Sequence, residues 1–264
     1  MYEDEIARVL AAGVPPIDLQ VAAIRRCDTD EPRGCVARAV INSLALGTLT
    51  PAAYLPVTDA DPVGLALTAR LIGKCLAAVG GADAEGCLTP VVIPAPLSLL
   101  SEKEPERWLS AALAGAPGAD PKTLCLCFDA RLLTAYGAGT REVLIRLKRA
   151  EIALAVRGCG ADDVPLAPLT RLPVDYAFLA PEATALAGDR VHNGALAGLV
   201  SYLVGMGQAV IAEGVTSEGQ RRALDSMGCC GYLSSGAWCR QSGRGPLRVT
   251  PGEATAQTGG GDIG

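Results

Sequence analysis

Short apolar runs of strand length alternate with stretches whose apolar residues recur at helical spacing, and this alternation constrains the fold most. Strand-like runs occur at Cys87–Ile93, Thr123–Phe128, Ile152–Val156, Val174–Leu179, Ala209–Ala212 and Cys229–Leu233. Helical spacing is read between most of them: near Pro105–Ala114, Ala130–Lys148, a helix ending near Met206, and one from Ser217 to Gly228. Upstream, strands near Ile17–Ile24 and Cys35–Asn42 flank CDTDEPRG, too short for a crossover helix, so they are expected to form an antiparallel hairpin. A short helix within residues 2–12 precedes them, and a longer one spans Pro62–Val79, with Ala69, Ile72, Leu76 and Val79 in phase. Eight strands mostly alternating with helices imply an α/β fold, a (β/α)8 TIM-like barrel with its first strand antiparallel. The 264 residues suit one barrel of about 250. The expected division is an N-terminal helix and linker at 1–16, the barrel at 17–240, and a disordered Gly-, Thr- and Pro-rich tail at 241–264.

Half the residues are apolar but only 4% are aromatic, so the core must be built from Ala, Val, Leu and Ile. A net charge of −5 argues against a nucleic-acid partner. No apolar run reaches membrane-spanning length and the start MYEDE is unlike a signal peptide, so no membrane association and a cytoplasmic location are expected. The ten cysteines include no C-x-x-C pair and the single histidine is His192, at a helix start. Buried reduced thiols and a solvated or capping histidine are the readings. No cofactor and no metal are expected.

The chemically telling stretch is QAVIAEGVTSEGQRRALDSMGCCGYL, residues 208–233. A buried strand delivers Glu213 onto a turn at Gly214, and a helix follows with Ser217 and Gln220 at capping-box spacing. Gly228 ends it, where a positive φ is wanted. A carboxylate at the carboxyl end of such a strand is where α/β proteins place chemistry.

This stretch resembles the "AEGVET-E-Q" block of EAL domains, the bacterial cyclic di-GMP phosphodiesterases. GTLTPAAYLP, IALAVRGCG and LTRLPVDYAFLA resemble further blocks in the same order, from about Ile17 to Leu233. The resemblance implies an EAL-type barrel and, in active members, two divalent metals held at the strand ends by carboxylates and an Asn. Carried over position by position, the signature Glu falls on Arg38, within Arg38-Ala39-Val40. The Asn of the third strand falls on Pro94, the next Glu on Cys127, and the Asp-Asp pair on Ala155-Val156. The Lys and Asp of the sixth strand fall on Phe178 and Ala180, and the last Gln on Cys230. The Arg after the signature falls on Asn42, and the Gln-Pro of the first strand on Ala22-Ala23. Glu213 alone is retained.

One carboxylate does not offset the repulsion of two divalent cations, so the expectation is a catalytically inactive barrel. Two readings of Glu213 follow: a relic ligand recruiting a cation with Asp129, Asp162 and Asp163, or a structural carboxylate satisfied by backbone donors or paired with Arg38, the reading preferred here. Two functions follow from the resemblance: a regulatory module binding another protein, or a non-hydrolysing cyclic di-GMP receptor with phosphate contacts from Arg38 and Arg157. Hydrolysis stands a distant third. Candidate partner surfaces are Arg141, Arg146, Lys148 and Arg149, and the pair Arg221-Arg222. The resemblance also allows a homodimer.

Overall fold

The computed structural model describes residues 4, 6–8, 17–58, 62–80, 90–135, 139–189 and 191–241. Residues 4 and 6–8 are helical; the rest of the helix expected over 2–12 lies outside the described residues, as does the expected tail beyond Gln241. The strands are β1 (Ile17–Arg26), β2 (Pro32–Ser43), β3 (Gly47–Leu49), β4 (Val91–Pro94), β5 (Leu124–Asp129), β6 (Ala153–Cys159), β7 (Tyr176–Leu179), β8 (Ala209–Val215), β9 (Gly231–Ser234) and β10 (Cys239–Gln241). The helices are α1 (Pro51–Thr58), α2 (Pro62–Gly80), α3 (Pro105–Leu113), α4 (Ala130–Ala135), α5 (Thr140–Lys148), α6 (Leu166–Leu169), α7 (Pro181–Thr184), α8 (Asn193–Gly205) and α9 (Glu218–Met227).

The sheet runs β1-β9-β8-β7-β6-β5-β4-β2, and β1 pairs again with β2, closing an eight-stranded barrel. Strands β2 and β4 to β9 run parallel; β1 is antiparallel to both neighbours, as the short CDTDEPRG connection requires. Closure removes every sheet edge in the barrel proper.

Side chains alternate across the wall with period two. Leu154 and Val156 of β6, and Val210 and Ala212 of β8, face outward into the main core under the helices. Ala155, Cys127, Phe178 and Ile211 face inward, in a smaller cluster with Ala22, Val36 and Leu233. That lumen is filled largely by small residues, with Phe178 as its one buried phenyl ring.

Some boundaries differ from the sequence reading. Within Cys87–Ile93 only Val91–Ile93 is strand among the described residues, and β4 runs on to Pro94. Among the described residues the helix expected over Ala130–Lys148 is two helices, α4 ending at Ala135 and α5 beginning at Thr140. Beyond Ile152–Val156 the strand runs on to Cys159 through a register shift at Gly158. Two short strands, β3 and β10, were not foreseen; each extends the hairpin strands, β3 against β2 and β10 against β1. Because β9 and β10 both lie along β1, they form one strand interrupted at Ser235–Trp238.

Helix α9 confirms its signals with one change. The Ser217 hydroxyl accepts from Gln220 N at 3.2 Å and Gly228 has φ +100°, but the Gln220 side chain accepts from Thr216 N, one residue before the cap. Nine free cysteines are described and seven are buried, in keeping with apolar filling; burial alone pushes the Cys35 thiol up to about 12.

Candidate functional site at the barrel mouth

The carboxyl ends of β2 and β4 to β8 gather most of the carried-over positions around one opening. Ala155 and Phe178 are buried in the lumen, Cys127 lies beside them, Pro94 ends β4, and Ala180 is the buried N-cap of α7. Val156 does not join them, because alternation turns it outward under the helices. Cys230 does not join them either. It precedes β9, and its N–H donates to Val210 O, three residues below Glu213 and toward the opposite end of the lumen.

Glu213 lies near the carboxyl end of β8 with its side chain inward, and Gly214 follows with φ +82°. A Cβ at Gly214 would lie 3.1 Å from Pro181 Cβ, so both conformation and space favour glycine. Arg157 occupies the same situation on β6, followed by Gly158 at φ +84°. Each glycine coincides with a register shift, and such bulges re-aim the adjoining side chain. The two side chains meet: Arg157 Nη2 donates to Glu213 Oε1 at 2.9 Å and Oε2 at 3.1 Å.

This corrects the expected Arg38–Glu213 pair. Arg38 donates from Nε to Gln20 Oε1 at 2.9 Å, and its guanidinium lies 3.9 Å from the Trp238 ring centroid. The reason is register: Gln20 stands directly opposite Arg38 in the β1–β2 hairpin. Trp238, at the end of the interruption between β9 and β10, packs against the lumen cluster from above.

Burial sets the electrostatics. It raises the Glu213 pKa; Arg157 pulls it back, and the like charges of Asp129 and Glu182 add to the rise. Burial acts to lower Arg157, but the attraction and hydrogen bond of Glu213, with contributions from Cys127 and Asp129, together raise it above its ordinary value. Arg38 is lowered by burial and by the nearby charge of Arg157.

The cation site imagined from Glu213, Asp129, Asp162 and Asp163 is not assembled. Asp129 accepts from Arg131 N at 2.9 Å and Nε at 3.4 Å, Asp163 lies 3.9 Å from Arg131, and Asp162 is exposed. Among the described residues no three His, Cys, Asp or Glu side chains are grouped to hold a metal ion. Arginine, proline, alanine and phenylalanine offer no hard oxygen ligand, so these side chains do not fit a two-metal centre.

The remaining candidates are otherwise engaged. Asn42 donates to Asp18 at 2.8 Å, and His192 meets Asp189 at 3.0 Å. Arg146 pairs with Glu106 at 2.6 Å, Lys148 with Asp175 at 2.5 Å, and Arg221 and Arg222 share Glu218. The supposed cationic surfaces are therefore largely self-neutralised. Sequence reasoning missed Gln20 and Trp238; counting across the hairpin would have found Gln20, whereas nothing local marks Trp238.

No curated protein matches the chain in sequence. The fold is similar to the PaMucR phosphodiesterase in complex with c-di-GMP, with TM-score 0.74, 16% identity, and coverage of 88% of this chain and 94% of that one. It is similar to the FimX EAL domain of Pseudomonas aeruginosa bound to c-di-GMP, with TM-score 0.74, 14% identity, and coverage of 88% and 93%. It is also similar to Klebsiella pneumoniae BlrP1 in a manganese/cy-diGMP complex, with TM-score 0.69 and 21% identity, covering 88% of this chain but 57% of the other. Among the described residues no helix is long and apolar enough to cross a membrane. Residues 17–233 match the family model of the EAL domain, so the chain belongs to the EAL domain family.

Proposed function

We propose that this barrel does not hydrolyse cyclic di-GMP and serves in bacterial signalling as a regulatory module that binds another protein. The observation that carries the loss of catalysis is the Arg157–Glu213 pair. The one retained carboxylate spends both oxygens on a guanidinium, and the positions around it supply a cation, a proline, a thiol and apolar side chains. A divalent metal placed there would have to displace a buried ion pair and would meet the positive charge of Arg38 as well.

The protein-binding half rests on the surface. Helix α8 carries no charged residue over its whole length, and Tyr202 and Val204 remain exposed on it, with Val191 just before it. An uncharged outer helix that leaves apolar side chains in water supports a protein partner over a purely solvated face.

A receptor for intact cyclic di-GMP is the second reading, favoured by the relatives bound to that ligand and by Arg38, which no carboxylate neutralises among the described residues. One pair of measurements separates the readings: turnover of cyclic di-GMP with magnesium or manganese, and calorimetry with the same ligand. No product and no binding heat are expected. Product formation would overturn the loss of catalysis, and micromolar binding without product would replace the protein-binding module with the receptor.

A further inference from the structure

Arg38 is a half-buried cation whose compensation is incomplete. Its one protein hydrogen bond among the described residues runs from Nε to the neutral amide of Gln20, and one face of the guanidinium lies against Trp238. The lumen carboxylate Glu213 is committed through both oxygens to Arg157, whose own charge acts on Arg38 unfavourably. Partly desolvated cations call for counter-charge, and a cation–π contact supplies only part of it. Among the described residues no protein acceptor meets the terminal N–H groups of Arg38, whose fork geometry suits two coplanar oxygens.

We propose that the Arg38 fork, backed by the Trp238 ring, binds a small oxyanion in the barrel mouth: a carboxylate or a phosphate monoester group. Size follows from the floor beneath it, where Phe178 and the small lumen residues are closely packed. The site depends neither on hydrolysis nor on a protein partner, so it stands or falls separately from the function proposed above.

The chain has two tryptophans, and a Trp108→Phe background leaves Trp238 as the only indole reporter. Inorganic phosphate and acetate are titrated against its emission without divalent metal, with sodium chloride at matched ionic strength as control. A saturable change with either anion, absent with chloride, is expected; which anion produces it identifies the oxyanion class. In Arg38→Gln the half-saturation concentration should rise at least about tenfold, the scale of a lost charge-assisted hydrogen bond. Arg38→Lys keeps the charge and removes the fork, so it should weaken binding similarly and carries the test if Arg38→Gln does not fold. Equal responses to chloride, no saturable response, or half-saturation unchanged in the lysine variant would each overturn the site.

Discussion

Two groups of ion pairs, one in the lumen and one at the barrel base, use the same residue types with opposite effects on their acids. In the lumen, Arg157 and Glu213 meet with side chains 36% and 11% exposed, and burial raises the Glu213 pKa. At the base, Arg25 grips Asp30 through two hydrogen bonds, Arg26 grips Asp28, and Arg221 and Arg222 grip Glu218. The Tyr232 hydroxyl also donates to Asp30. There, hydrogen bonds from arginine hold Asp30 and Asp28 below the usual carboxylate range and pull Glu218 down to about 2. Solvation makes the difference. Near water an arginine lowers a carboxylate at little cost, whereas in the lumen desolvation of the charged form outweighs the same attraction. The base ion pairs are local to the β1–β2 turn and to α9. The turn is fastened to β9 by the Tyr232 hydroxyl on Asp30 and to α9 by Arg221 on the carbonyls of Cys27 and Asp28, while the lumen pair is a mutual constraint that breaks badly.

Removing one lumen partner should be the largest way to expose this difference. Arg157→Ala strands Glu213, and a loss of about 3 kcal/mol is expected, at the low end for buried pairs because Arg157 is partly exposed. Chemical denaturation measures it, and the double variant Arg157→Met with Glu213→Gln should recover most of the loss. A double variant as unstable as Arg157→Ala would break the contrast.

At the base, Asp30→Asn keeps a residue tolerant of the left-handed backbone at φ +62° and removes the charge. With the Asp30 side chain 50% exposed, the expected loss is only about 0.5–1 kcal/mol. A loss matching that of Arg157→Ala would erase the distinction between the regions.

The smallest effect is in the pH profile. Acids lowered in the folded state contribute stability above their unfolded values, and this is lost as pH falls through the folded ones, so the base should weaken on acidification below about pH 4. Glu213 has the opposite sign: a raised folded value favours folding below the unfolded pKa, and that contribution is lost as pH rises through the folded value. Wild type should therefore show a shallow decline in stability just above pH 4.5 that Glu213→Gln lacks. Parallel profiles over that range would remove Glu213 from the comparison.

Much of this was legible in the chain. The hairpin followed from a connection too short for a helix, and Glu213, Gly214, Ser217 and Gly228 each fell where the local pattern placed them. The separation of α4 from α5 was less legible, because one helix was read from Ala130 to Lys148. So was the turn of Val156 away from the mouth, although alternation along β6 would have revealed it.

The sequence by itself determined the barrel, its antiparallel first strand, the family, and the near absence of hard-ligand side chains at the strand ends. These depend on periodicity, turn length and residue identity, which are local. Which cation meets Glu213 was decided only by the tertiary structure. Arg38 and Arg157 are equally basic and both lie on strands facing the same opening, and sequence spacing does not rank them. The β1–β2 register hands Arg38 to Gln20, the interruption before β10 brings Trp238 over it, and the paired bulges at Gly158 and Gly214 aim Arg157 and Glu213 at each other. A choice between two like charges is settled by distances across strands, and those exist only once the barrel has closed.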